Sequence, residues 1–364
     1  MQFHPLYKYY FRQILSFGII WLFFGLVYIM LEYGILGRTT IYPATGNKYS
    51  LSTSLTMISL GCLLMGFSQG IIEIFWFKKK FNKKSFWTKL TFKSIFYLFF
   101  IVVFLISLTF INNTYLYKAS LFDPIVIDSV LVFIKKFSFW STVIYTGIIL
   151  DIALFYSEIK DYIGKNVLSN YLGKYHKPKQ ETRVFMFLDM KSSTTIAESL
   201  GHKKYFELLQ TYYADMTKAI LETSGEVYQY VGDEIVVTWK EKPGLYKNNC
   251  IHCFRKIFEM IDKKKEKYIK QFGLVPEFKA GYHIGAVTTG EIGIIKKELI
   301  YTGDILNTSA RIQAECNNLN SKTLISEELA KKLKKDGRFS CIKVENLLLR
   351  GKRKSIQLYK VIFN

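Results

Sequence analysis

Apolar positions along the chain cluster in two ways, and the change falls near residue 156. Before it, long uninterrupted apolar runs recur near 14–36, 53–77, 90–112 and 137–156. Each holds about 20 mainly apolar residues, which as a helix crosses a hydrocarbon core of about 30 Å. Four membrane spans are therefore predicted. The first run is longer than a signal-peptide core and lacks a small-residue cleavage site, so it reads as a retained anchor.

After the fourth run the pattern becomes helical but interrupted. Ile159, Ile163, Val167 and Tyr171 recur at helical spacing, and Gly173 and Pro178 close the segment. An apolar stripe of this kind suits a parallel pairing of two subunits. Beyond Arg183, short runs rich in Val, Ile, Phe and Tyr alternate with helical stretches. Strands are predicted over VFMFLDM and on both arms of EVYQYVGDEIVVTW, with a helical pair between them. A long helix through 247–271, a strand near 276–288, a short hairpin, a helix from about Asn307 and strands near 339–349 and 355–362 follow. The expected architecture is multidomain: a four-helix transmembrane region over 1–156, a helical linker over 157–182 and an α+β domain with one sheet over 183–364.

Charge changes the picture only at the membrane. The 50 Lys and Arg against 29 Asp and Glu give a net charge of +21. The lysines are scattered among span-flanking loops and helix faces, and no motif beyond charge supports nucleic-acid binding. The loop from Lys78 to Lys89 is short and strongly basic, which places it on the cytoplasmic side, facing anionic lipid. The N-terminus and everything after the fourth span then share that side, although Lys135 and Lys136 oppose the rule. Glu73 and Asp151 fall near the inner ends of their spans, where headgroup placement is expected. Five cysteines are too dispersed for a disulfide framework, and Cys250 and Cys253 lie in a segment of helical apolar spacing that reads as a packed helix face.

The candidate chemistry is carried by carboxylates at strand ends. Asp189 closes the first apolar strand, and Asp233 sits in the Gly232-Asp233 turn. Two such groups on neighbouring strands can chelate hard cations that also bridge substrate phosphates. Ser192, Ser193 and Thr194 form a small polar turn opening a helix, either a phosphate cradle or a simple cap. Asn307 and Arg311 are four residues apart and share one helix face. An amide that orients a ribose and a guanidinium that stabilises a transferring phosphoryl group suit phosphorus chemistry. Leu349-Arg350-Gly351-Lys352 is a basic turn suited to a triphosphate.

Taken together these residues resemble the class III nucleotidyl cyclases, the adenylate and guanylate cyclase family, over the whole of 183–364. The resemblance implies a palm-like, ferredoxin-like domain. It implies two divalent ions, Mg2+ or Mn2+, held by Asp189, Asp233 and the backbone carbonyl of Met190. Asn307 and Arg311 would be catalytic, and Arg350 and Lys352, with the Ser192–Thr194 turn, would hold phosphates. The family works as dimers, with metal ligands of one subunit facing the Asn and Arg of the other, so a homodimer is expected. The implied reaction converts ATP to 3′,5′-cyclic AMP and pyrophosphate by attack of the ribose 3′-oxygen on the α-phosphorus. Base selection falls to Gln229 and, by strict counting, Ile300, with Thr302 as substitute because the loop before the helix is short; Gln229 can pair with adenine, or flipped with guanine. The expectation is an adenylate cyclase of a bacterial-type inner membrane, with ATP, membrane lipid and a second copy as partners and no nucleic acid. The alternatives are a guanylate cyclase, a diguanylate cyclase, whose signature Val231-Gly-Asp-Glu-Ile235 partly matches, and a non-catalytic nucleotide-binding membrane receptor.

Overall fold

The computed structural model describes residues 4–43, 46, 48–81, 84–163, 175, 177–295, 297–350 and 354–364. The chain divides into two compact units, Tyr9–Leu168 and Met1–Lys8 with Ser169–Asn364. The linker positions Val167, Tyr171 and Gly173 lie outside the described residues.

In the first of these units, helices α1 (Pro5–Leu36), α2 (Leu51–Ile72), α3 (Phe86–Tyr117), α4 (Pro124–Lys135) and α5 (Phe137–Ile163) follow one another, and α2 continues through a π-helical turn at Glu73–Phe77. Among the described residues four helical stretches, Pro5–Leu36, Leu51–Phe77, Phe86–Tyr117 and Phe137–Lys160, are long and apolar enough to cross a membrane. They match the four expected runs. Helix α4 lies where only a loop was expected. Asp123 caps it by accepting a hydrogen bond from the Ile125 N–H, and Pro124 occupies its first turn.

Small residues set the approach of α1 and α2: a Cβ on Gly66 would lie 2.9 Å from the Gly18 Cα. Close by, Trp21 Nε1 donates to Gln69 Oε1 at 2.6 Å. The expected headgroup placement of Glu73 is overturned. Its side chain is fully buried and paired with Lys93, which also reaches Glu158 at 2.6 Å, so α2, α3 and α5 are tied by one lysine between two carboxylates. A buried carboxylate needs such a partner, and Lys93 supplies it from a different span. Asp151 is exposed and accepts from Ser94 Oγ at 2.6 Å.

The other unit holds a mixed sheet. Its strands are β1 (Lys179–Met190), β2 (Glu226–Val231), β3 (Glu234–Lys240), β4 (Phe278–Ile292), β5 (Glu298–Thr302), β6 (Thr323–Ser326), β7 (Phe339–Leu347) and β8 (Ile356–Phe363). The order is β2-β3-β1-β4-β6-β8-β7, with β5 also on β4. Helices α6 (Ser193–Glu222), α7 (Asn249–Asp262), α8 (Lys265–Phe272) and α9 (Asp304–Asn318) cover it. Alternation along β1 separates two cores. Val184, Met186 and Leu188 join Tyr212, Met216 and Ile257 of α6 and α7. Phe185 and Phe187 join Tyr301 and Ile305 on the α9 side.

Three details differ from expectation. The stretch 247–271 forms two helices rather than one, the last predicted helix begins at Asp304, and β6 intervenes as a four-residue strand, buried throughout. Cys250 and Cys253 are buried on α7, where burial pushes both thiols up to about 12, in keeping with a packed helix face. Between them His252 pairs with Asp336 at 2.7 Å.

Candidate active site

Asp189 and Asp233 reach one another because of the strand register. Asp189 is the penultimate residue of β1, where it lies opposite Lys279 of β4, and Leu188 beside it lies opposite Ile235 of β3. The β2–β3 hairpin closes through Gly232-Asp233, between the paired residues Val231 and Glu234. Gly232 has φ +61, a conformation that glycine adopts freely at the first position of a two-residue hairpin turn. Tyr213 of α6 fixes the turn by donating to the Gly232 carbonyl at 2.8 Å.

The electrostatics are those of anions crowded together. Burial first, then the neighbouring Asp233 carboxylate, pushes Asp189 up to about 6, against the pull of Lys279 and Gln313. Glu234 is pushed up to about 7 by burial and by both aspartates. One oxygen of Asp233, Oδ2, is buried without a hydrogen-bond partner among the described residues. Lys279 Nζ stands 3.7 Å from Asp189 Oδ2, and Gln313 Nε2 donates to the same oxygen at 3.1 Å. An all-oxygen donor set carrying excess negative charge and an orphaned carboxylate oxygen fits a hard divalent cation. Among the described residues no group of three or more His, Cys, Asp or Glu side chains is placed to hold a metal ion.

The turn after β1 is open at its backbone. Ser192 takes a left-handed conformation, φ 57 and ψ 32, and makes no side-chain cap bond to α6. The simple-cap reading of this turn therefore fails at Ser192. The first N–H groups of α6, those of Ser193 and Thr194, precede the first intrahelical bond, which runs from the Ile196 N–H to the Ser192 carbonyl, and the helix start favours an anion there.

Asn307 and Arg311 lie on α9, exposed and half-buried, respectively. Ile305, Thr308, Ile312 and Gln313 form the buried side of that helix. At 3.6 residues per turn, Asn307 and Arg311 point roughly 120–160° around the axis from Gln313, the residue that touches Asp189. Along α9, the Asn–Arg pair thus points away from the residue that bonds Asp189. Arg350 is exposed in the turn after β7, and Lys352 lies outside the described residues.

The base-selecting candidates are not brought to one face. Gln229 pairs with Val236 and so shares the α9 side of the sheet. Ile300 and Thr302 flank Tyr301, whose ring lies 5.4 Å from Phe185 and 4.9 Å from Tyr228 on that side, so alternation sends both to the other. Thr302 Oγ1 donates to the Thr288 carbonyl at 3.3 Å.

The sequence model of the adenylate and guanylate cyclase catalytic domain matches residues 175–362, which contain every candidate residue above. The chain belongs to this family. It is 36% identical over 182 residues to "Adenylate cyclase 2" of Rhizobium meliloti (strain 1021), covering 50% of each chain. It is 26% identical over 183 residues to an adenylate cyclase of Anabaena cylindrica, covering 48% of this chain and 36% of that one. The chain thus spans half or less of the length of these relatives. A bacterial light-regulated adenylyl cyclase structure shares the fold at 18% identity, with a TM-score of 0.52 over 59% of this chain and 63% of that one. The class III cyclase resemblance and the multidomain layout both stand.

Three residues of this cyclase domain escaped the sequence reading: Gln313, Lys279 and Glu234. Glu234 follows Asp233 directly, and its position in the hairpin was visible. Gln313 lies six residues after Asn307 and carried no signal of its own, because its partner Asp189 is 124 residues away.

Proposed function

We propose that this chain is a membrane-anchored adenylate cyclase, converting ATP to 3′,5′-cyclic AMP and pyrophosphate in sites shared by two copies. The observation that carries the reading is the Asp189–Asp233 pair with its orphaned Oδ2 oxygen. In this reading Asp189, Asp233 and the Met190 carbonyl hold two divalent ions, Mg2+ or Mn2+. When bound, the ions lower the pKa of the ribose 3′-hydroxyl and neutralise the polyphosphate. Gln313 and Lys279 hold Asp189 in place between turnovers. The free N–H groups of Ser193 and Thr194 receive phosphate oxygens, with Arg350 and Lys352 on the triphosphate. Asn307 orients the ribose, and Arg311 stabilises charge on the α-phosphoryl group as the bond to pyrophosphate breaks.

The outward direction of Asn307 and Arg311 supports a two-fold arrangement in which each protomer completes the site of the other. Ile294 and Ile295 at the β4–β5 tip are almost completely exposed and suit an apolar contact between copies. ATP is favoured because Gln229 can donate to adenine N1 and accept from its amine, and because the relatives above are named adenylate cyclases. The basic Lys78–Lys89 loop supports a cytoplasmic location, at an inner membrane, for the N-terminus and the catalytic unit. The division 1–156, 157–182 and 183–364 follows as anchor, transducing linker and catalytic domain.

The test is product identification. Purified full-length protein is incubated with ATP and with GTP in the presence of Mn2+, and products are resolved by mass spectrometry. Cyclic AMP with ATP is expected. Cyclic GMP alone would reassign the base, cyclic di-GMP would make it a diguanylate cyclase, and nucleotide binding without any cyclic product would make it a receptor.

A further inference from the structure

A cleft of about 1660 Å³, open to the outside along part of its length, runs between α1, α2, α3, α4 and α5. Pockets for drug-sized ligands hold about 300–1,000 Å³, so this one is large enough for a longer molecule. Its depth is apolar, lined by Trp21, Met65, Ile101, Leu105 and Ile149. These side chains also belong to the core of the bundle or flank it. Its mouth is polar. Glu32, at the end of α1, stands there with Thr53 at the start of α2, Asn113 late in α3, Asp128 of α4 and Ser138 early in α5. Helix ends of alternate direction meet at this one end of the bundle, opposite the Glu73–Lys93–Glu158 group.

An apolar depth with a polar rim fits a single-chain amphiphile, its tail among the core side chains and its head at the rim. The rim also states the sign of that head. Among the described lining residues the groups charged at neutral pH are two carboxylates, Glu32 and Asp128, and one cation, Lys136, beside five tyrosine hydroxyls and the Cys62 thiol. Glu32 is anchored by a hydrogen bond from Ser54 Oγ, which fixes an acceptor at the mouth. We infer that this cleft is a binding site for a long-chain amphiphile bearing a hydrogen-bond-donating head, an amine or hydroxyl rather than a carboxylate or phosphate. A free amphiphile and a lipid of the surrounding bilayer share this chemistry, and the experiment separates them.

The full chain is reconstituted in nanodiscs of zwitterionic phospholipid and exposed to dodecylamine carrying an aliphatic diazirine. After photolysis, labelled positions are mapped by mass spectrometry. Saturable labelling within 57–65 and 101–113 is expected, reduced at least tenfold by unlabelled dodecylamine or dodecanol and little by laurate or decane. Gly61 lines the cleft, and the nearest atom to a Cβ there is Leu108 Cδ1 at 3.8 Å, so Gly61→Phe directs a ring into the space and should remove the labelling. Ile19→Phe, on an exposed face, should not. Glu32→Gln should narrow the gap between dodecylamine and laurate. Labelling spread over lipid-facing positions, failure of excess amine to compete against bilayer lipid, or equal competition by laurate would each overturn the inference. The map of the unmodified chain decides the matter even if Gly61→Phe does not fold. The readout is binding, so the result stands apart from the nucleotide reading of the catalytic domain.

Discussion

A Cβ placed on Gly281 would stand 2.2 Å from the backbone nitrogen of Gln313. Strand β4 and helix α9 therefore touch without an intervening side chain, and that closeness lets Gln313 reach Asp189 at 3.1 Å. Gly281→Ala should push α9 outward, at a cost of about 1–3 kcal/mol for an overpacked contact. Thermal unfolding should fall by several degrees, and cyclase turnover should drop at least tenfold as Asp189 loses its donor. A variant that keeps both values would show that α9 is not held at this spacing.

Asp189 and Glu234 give the protein a pH signature without metal. Both carboxyls are raised, to about 6 and about 7, by burial first and by their acidic neighbours next. Each holds its proton to higher pH in the folded chain than in the unfolded one. The folded state therefore binds more protons between about pH 4 and 7, and stability contributed by these groups is lost as pH rises through that window. Thermal unfolding of the full chain in chelator should show this decline. Asp189→Asn with Glu234→Gln should flatten it, and Mn2+ should restore the upper end by binding the folded state. A stability that climbs across the same window in chelator, and no less in the double variant, would contradict the assignment.

The direction of Asn307 and Arg311, away from Gln313 along α9, predicts complementation. Asp233→Ala and Arg311→Ala homodimers should each be inactive. Mixed dimers hold one site with neither substitution, so about a quarter to a half of wild-type activity per mixed dimer is expected. Mixed dimers confirmed by tagged pull-down yet silent would argue for sites built within one chain.

Lys93 balances two buried carboxylates, and its loss leaves both uncompensated. Lys93→Met should destabilise the membrane unit by about 3–5 kcal/mol, read as earlier aggregation of the detergent-solubilised chain on heating. Glu158→Gln, which keeps one full ion pair, should cost less. If the two variants aggregate at the same temperature, the lysine does not carry the charge balance.

How far the sequence revealed this arrangement depended on distance along the chain. The four spans and the β1 and β2–β3 strands were visible because runs of apolar residues state them locally. The positions of Asp189 and Asp233 at the ends of those runs were visible for the same reason. Helix α4 was hidden because a 12-residue apolar helix is too short to read as a span. Strand β6 was hidden because four buried residues show no period. Glu73 was misplaced because its partners, Lys93 and Glu158, lie in other spans. Gln313 and Lys279 went unseen because register and helix approach, rather than spacing, bring them to Asp189.

The Glu73–Lys93–Glu158 group has a consequence for exchanging parts between proteins. Glu73 of α2 and Glu158 of α5 are each paired with Lys93 of α3, so a hybrid receiving one of these spans without its counter-charge would insert an orphan ion into hydrocarbon. Grafts from related anchors should succeed when the spans are transplanted as an indivisible cassette and fail when they are swapped singly.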